Sequence, residues 1–148
     1  MFKISRLTDY GVVILGHLLA HGSSGLPTSA NDIAKDSGLP RPTVSKLLKL
    51  MAKEKIIRAK RGYLGGYELN QDLRELSLLR FIEAFEGPWA FISCVPGSEM
   101  NCRINGKCPQ RDGWHMVHKK IAHLLEEISL HDLINSKKSK TISFGGVL

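Results

Sequence analysis

Leu7, Ile14, Leu15, Leu18 and Leu19 recur at the spacing of one helical face, which predicts a helix over Leu7–His21. Thr8 reads as its cap, and Asp9 in the first turn suits the positive end of the helix dipole. Gly22-Ser23-Ser24-Gly25 and Pro27 form the turn out. Ser29-Ala30-Asn31-Asp32 has the form of a capping box, opening a short helix with Ala30, Ile33 and Ala34 inward and Gly38 at its end. Pro42 stands where the first turn of the next helix tolerates proline. Val44, Leu47, Leu48 and Met51 then form an unbroken apolar stripe, leaving Arg41, Thr43, Ser45, Lys46, Lys49 and Lys53 on the other face. A short helix, a glycine turn and a second helix with a basic polar face predict a helix-turn-helix.

The period changes after Lys53. Ile56–Lys60 and Tyr67–Leu69 are short strand-like runs joined by Arg61-Gly62-Tyr63-Leu64-Gly65-Gly66, a hairpin that would form a wing directly after the recognition helix. Glycines at its tip let backbone approach a phosphate, and Arg61 at its base suits a narrow minor groove; the plain alternative is turn geometry alone. Ser77–Glu86 predicts a third amphipathic helix burying Leu78, Leu79, Ile82 and Phe85, stopped by Gly87-Pro88. From Asp112 a long helix carries Trp114, Val117, Ile121, Leu124, Leu125 and Ile128 along one side, a stripe suited to pairing with a second copy of the chain. Ser136-Lys137-Lys138-Ser139-Lys140 and the tail to Leu148 read as loosely ordered.

Charge sharpens this picture. The chain has 148 residues, 43% apolar, with a net charge of +7. Between Lys35 and Arg61 nine Lys/Arg face two acids, so this one segment carries the whole excess and the remainder is neutral. A basic segment with helix-turn-helix patterning points to nucleic acid, in preference to a solvated basic face. No apolar run reaches the roughly 20 residues a membrane helix needs, and the first residues lack a signal-peptide pattern, so a cytoplasmic location is expected. No serine–histidine–carboxylate set, nucleotide loop or paired-carboxylate site stands out, so the chain is expected not to be an enzyme.

All three cysteines fall in one stretch, Cys94, Cys102 and Cys108, with seven and then five residues between them. Pro96, Gly97, Asn101, Asn105 and Gly106 oppose helix and strand there, so the thiols sit on a loop able to fold round something. In a reducing compartment an odd, clustered set suits ligands or redox thiols better than a structural disulfide. Thiolates are the soft ligands that iron–sulfur clusters use. Zinc would accept the same thiolates plus one nitrogen from His115 or His118, and a bare thiol switch needs no metal.

Several motifs together carry a resemblance. They are Leu7-Thr8-Asp9-Tyr10-Gly11, Pro42 to Lys49 in the recognition helix, Arg61-Gly62 with Gly65-Gly66-Tyr67, Glu86-Gly87-Pro88, and three cysteines before Trp114. From Lys3 to about Leu133 the chain resembles the winged-helix iron–sulfur transcription regulators that include IscR, NsrR and RirA. It is most similar there to regulators of SUF-type cluster-assembly operons. The resemblance implies a homodimer reading a palindromic operator in double-stranded DNA, with Cys94, Cys102 and Cys108 as thiolate ligands of an iron–sulfur cluster, 2Fe–2S or 4Fe–4S. It also implies Arg61 in the minor groove and Thr43, Ser45 and Lys46 on the reading face. Some relatives use a histidine three residues after the last cysteine, where this chain has Arg111, which offers a metal no lone pair. Others use an N-terminal aspartate of the partner subunit, which matches Asp9; a carboxylate in a first helical turn is also stabilising without any metal.

The expected fold is mainly α with a small β-wing: a winged helix-turn-helix head over residues 1–70, a cluster loop with dimerisation helices over 71–135, and a tail over 136–148. The expected function is a repressor-type regulator whose operator binding follows cluster occupancy. Arg41, Lys46, Lys49, Lys53, Arg58 and Lys60 would supply mainly phosphate contacts. The alternatives are a winged-helix interaction protein with structural zinc, or a thiol-based redox or nitric-oxide-responsive repressor.

Overall fold

The computed structural model describes residues 4–22, 25–95, 102–104 and 106–136. Among them six helices and one two-stranded sheet follow in the order α1 (Arg6–His21), α2 (Ala30–Ser37), α3 (Arg41–Lys53), β1 (Ile57–Lys60), β2 (Gly66–Leu69), α4 (Leu78–Glu86), α5 (Arg111–Glu127) and α6 (Leu130–Asn135). The tail expected to be loosely ordered lies, from residue 137 onward, outside the described residues.

Four helices start on a serine whose hydroxyl accepts from the backbone N–H three residues on: Ser5, Ser29, Ser77 and Ser129. Each satisfies one amide that a helix start leaves without an intrahelical partner. The cap of α1 is therefore Ser5 and not Thr8, which lies one turn inside the helix, 1% exposed. Ser29 and Asp32 close the capping box in both directions, the Ser29 hydroxyl also donating to Asp32 Oδ2 at 2.6 Å. Gly38 ends α2 at φ 70°, a left-handed conformation that costs a residue without Cβ little. The chain can then turn into α3, which enters with Pro42 in its first turn.

One core joins these elements. Val44, Leu47, Leu48 and Met51 of α3, all at most 1% exposed, pack with Ile14, Leu15 and Leu18 of α1 and Ile33 of α2. Leu73, Leu76, Phe81 and Leu130 complete the same cluster from further along the chain. In α4 the fully buried positions are Phe81 and Ile82, whereas Leu78, Leu79 and Phe85 are only half-buried. The expected stripe is thus rotated, with Phe81 as its anchor. Phe81 packs against Phe85 with the rings tilted by 44° and their centroids 4.7 Å apart, and both rings lie against Gly11 of α1, where a Cβ would come within 2.9 Å of either ring. Gly11 is the gap that lets α1 and α4 meet.

The sequence expectations do not include α6, although Ser129 and Asp132 repeat the capping pattern of Ser29 and Asp32. This helix is held by the bridge Ser77↔Ser129, with Leu78 N–H donating to Ile128 O at 2.7 Å and Leu130 N–H to Leu76 O at 2.9 Å. This returns the chain after α5 to the head and seats Leu130, fully buried, in the core.

Candidate nucleic-acid interface and cysteine segment

The helix-turn-helix and hairpin stand as expected. On α3 the side chains of Arg41, Lys46, Lys49 and Lys53 are exposed, while Thr43 and Ser45 are half-buried on the flanks of the helix. The antiparallel register pairs Ile57 with Leu69, Arg58 with Glu68, Ala59 with Tyr67 and Lys60 with Gly66. Tyr67 also pairs with Thr28, its N–H donating to Thr28 O at 2.9 Å, which ties the wing to the loop before α2.

Two of the wing glycines are required by the protein itself. A Cβ at Gly66 would lie 2.6 Å from Thr28 O, and one at Gly65 would lie 2.6 Å from Lys60 O. Gly62 adopts φ 118°, and Gly65 N–H donates to Gly62 O at 3.0 Å, closing the tip. The tip is therefore a fixed turn that holds Arg61 exposed at its base.

Glu68 enters this surface from outside the basic segment. Its carboxylate holds Arg58 Nε through Oε1 and Lys60 Nζ at 2.9 Å through Oε2. The hydrogen bond from Lys60, opposed by partial burial and reinforced by Arg58, keeps the Glu68 carboxyl below its ordinary pKa. Glu68 lies beyond the basic segment Lys35–Arg61 and so does not stand out when charge is counted along the chain. A hairpin register drawn from the Ile57–Leu69 pairing would have placed it opposite Arg58.

The cysteine segment lies between α4 and α5. Cys94, Cys102 and Cys108 are all half-buried and not in disulfides. Residues 96–101 and 105 lie outside the described residues, and among the described residues no three His, Cys, Asp or Glu side chains converge on a metal-binding spacing. Cys94 is fixed through its carbonyl, which accepts from His115 Nε2 on α5 at 2.9 Å; that contact requires the proton on Nε2. Cys108 O accepts from Arg111 N–H at 3.3 Å at the start of α5. His118, one turn further along, stacks on the buried Trp89 with ring centroids 6.4 Å apart. Burial and the nearby His115 charge keep His118 below its ordinary pKa, and its Nδ1 is buried with no hydrogen-bond partner among the described residues. Of the two histidines open to a nitrogen-ligand role, His115 is thus engaged and His118 is not.

Asp9 is exposed and lines an apolar hollow of about 510 Å³ with Ile4, Val12, Leu78 and Leu133.

Thr8 and Glu86, neither read as a pair from the sequence, join the start of α1 to the end of α4. The Thr8 hydroxyl donates to Glu86 Oε1, and Ser5 N–H donates to the same oxygen at 3.1 Å. Burial opposes ionisation of Glu86, but the bonds from Ser5 and Thr8 outweigh it and hold its pKa below the ordinary 4.5. A depressed carboxyl stabilises the fold above its unfolded pKa and loses that contribution as pH falls through the folded one. Glu86→Gln should therefore lower stability at neutral pH by about 1 kcal/mol, a value typical of a partly exposed charged hydrogen bond. The deficit should fade in urea titrations run below pH 4.5. A pH-independent deficit would mean that the carboxylate charge is irrelevant.

Taken together, a helix-turn-helix, a glycine-locked wing and an outward basic face on α3 define a DNA-binding transcription regulator and not an enzyme. Residues 4–136 match the Rrf2 family, described as an iron-dependent transcriptional regulator, and the chain belongs to that family. Among curated relatives it is similar to the HTH-type transcriptional regulator IscR of Pectobacterium atrosepticum, 26% identical over 136 residues that cover 90% of this chain and 81% of that protein. The Photobacterium profundum IscR is 24% identical over 141 residues, covering 93% of this chain and 80% of that protein. Among solved structures it is similar to CymR, the global cysteine regulator of B. subtilis, with a TM-score of 0.68, 26% identity and coverage of 92% of this chain and 98% of that one. It is also similar to T. potens IscR, with a TM-score of 0.67, 25% identity and coverage of 97% and 94%. No described helix is long and apolar enough to cross a membrane.

Proposed function

We propose that this regulator is a homodimer on a palindromic operator, and that an iron–sulfur cluster held by Cys94, Cys102 and Cys108 controls its grip. The observation that carries the reading is the donor set: three half-buried thiols, none in a disulfide, each outside any described helix and placed in the chain between α4 and α5. Such a set suits iron–sulfur chemistry because each thiolate is a soft, anionic ligand. When bound, the cluster supplies an iron- and oxidant-sensitive link among the thiolates. Asp9 of the partner subunit is the proposed fourth ligand, and SUF-type cluster-assembly genes are the proposed targets. The iron-dependent description of the family and the likeness to IscR regulators support the cofactor. Residues 1–70 serve as the DNA-reading unit and 71–135 as the cluster-holding and pairing unit, in a cytoplasmic protein.

Pairing is supported by α5. None of its residues is buried within one chain, and Trp114, Met116 and Leu124 are 46%, 53% and 58% exposed. Val117, Ile121 and Leu125 are half-buried where α5 packs against α4, so one part of the expected stripe is used within the chain and the other is left for a second copy.

The chain's own residues provide the coupling. His115 holds the Cys94 backbone, Glu86 at the start of the cysteine segment holds the first turn of α1, and α1 packs on α3. A change in how the segment is held therefore biases the head between two arrangements. Arg41, Thr43, Ser45, Lys46, Lys49 and Arg61 are the proposed DNA contacts, with Arg58 and Lys60 at their edge.

Anaerobic reconstitution tests this reading. Purified protein should take up iron and sulfide, turn brown, and change its operator affinity by about five-fold or more, the usual range of a coupling energy. A colourless, zinc-loaded protein would favour the structural-zinc alternative. Uptake without any change in affinity would separate the cofactor from control.

A further inference from the structure

We infer that Glu68 withholds Arg58 and Lys60 from the DNA backbone, so that it limits sequence-independent binding and leaves the wing's contact to Arg61. The inference rests on the DNA-binding reading above and corrects the place of two residues within it.

Three observations converge. Arg58 and Glu68 are direct cross-strand partners in the β1–β2 register, and Lys60 lies two residues along the same face of β1. One carboxylate takes both cations at once, a separate oxygen for each, and Glu68 is itself only 19% exposed while Arg58 and Lys60 are 60% and 48% exposed. The acid is therefore the fixed centre and the cations are arranged round it. Finally, Glu68 is held below its ordinary pKa, with the Lys60 hydrogen bond as the leading cause, so it remains an anion across the neutral range.

The consequence follows from where binding free energy to DNA comes from. A cation that replaces condensed counterions on a phosphate releases salt, and each such contact adds about 0.9 to the slope of log affinity against log salt. A cation already matched by an internal carboxylate has little net charge to offer. To reach a phosphate it must leave Glu68, and the vacated carboxylate then faces the phosphates with like charge. As a surface salt bridge the pair adds little to folding, so stability is not a sufficient reason for it. Its effect on DNA is larger than its effect on folding. Of the three wing cations, Arg61 alone lies outside the Glu68 pair, at the base of the glycine-locked tip.

The test uses the full-length protein, a fluorescent duplex of arbitrary sequence, and binding measured over a salt series. With E68Q, which keeps the side-chain shape, arbitrary-sequence affinity should rise about ten-fold at 0.1 M salt, and the salt slope should steepen by about one to two for each bound head. Replacing Arg58, Lys60 and Glu68 together by Gln, which removes the cations without baring the carboxylate, should leave the wild-type slope nearly unchanged, whereas Arg61→Ala should lower it by about one. E68Q binding equal to or weaker than wild type, or a triple Arg58/Lys60/Glu68 variant that loses about two units of slope, overturns the assignment and makes Glu68 an orienter of contacting cations. Failure of the wild-type protein to bind any duplex would instead sink the DNA-binding reading itself. Matched far-UV circular dichroism and urea midpoints keep folding out of the comparison.

Discussion

Cys102→Ala should give a folded protein that emerges from anaerobic reconstitution colourless, with bound iron and sulfide close to background. Loss of one thiolate of three removes a soft anionic ligand that Arg111, with no lone pair to offer, cannot replace and that His115, bonded to the Cys94 carbonyl, does not supply. Cys102 is half-buried outside the core, so its truncation leaves the core untouched, and the helical signal and urea midpoint should stay near wild type. Operator affinity should then be the same before and after exposure to iron and sulfide. A brown, iron-loaded variant would remove Cys102 from the ligand set. An unfolded variant would be met by Cys102→Ser, which keeps the volume of the side chain while weakening it as a ligand.

Phe81→Ala is the substitution expected to cost the fold most, on the order of 3–5 kcal/mol. That is a large share of the roughly 5–15 kcal/mol that hold a domain together. Phe81 is fully buried, packed against Phe85 and seated in the gap above Gly11, so its removal opens a cavity between α1 and α4. Urea unfolding at a fixed protein concentration should show the loss, since pairing makes apparent stability concentration-dependent. Leu79→Ala provides the contrast. Leu79 is half-buried on the same helix and should cost clearly less. A Phe81→Ala loss below about 1 kcal/mol would mean that the two helices close over the gap.

These two substitutions also mark where sequence reading succeeded and where it slipped. The helix-turn-helix was legible because its periodicity is local: Val44, Leu47, Leu48 and Met51 lie on one face whatever surrounds them, and all four are buried. Ser29 and Gly38 speak for the ends of α2 in the same way, through bonds and dihedral angles that span a few residues. In α4 both Leu79 and Phe81 are apolar, so pattern alone could not say which one turns inward. The position of α1, with no side chain at Gly11, made that choice. Thr8 was misread as a cap for a related reason. A short hydroxyl near a helix start is equally suited to Ser5 or Thr8, and only the arrival of Glu86 from α4 shows why Thr8 is buried. The helix α6 escaped notice because its six residues depend on pairing with the Leu76–Leu78 stretch, far away in the chain.

The candidate site divides along the same line. Basic residues on α3 and the glycine-rich turn were visible as residue types at fixed spacing, and so were three cysteines on a helix-breaking segment. Which charges cancel one another was not visible, because Glu68 meets Arg58 and Lys60 only through strand register.

What the sequence determined by itself is therefore the set of elements and the chemistry each carries, since both follow from periodicity, caps and residue type within a few positions. The tertiary structure alone decided which apolar side chain fills the α1–α4 gap, which acid pairs with the cations of the first wing strand, and which carboxylate joins the end of α4 to the start of α1. Those choices depend on groups as far as 81 positions apart in the chain, and local pattern carries no information about such pairs until the fold brings them together.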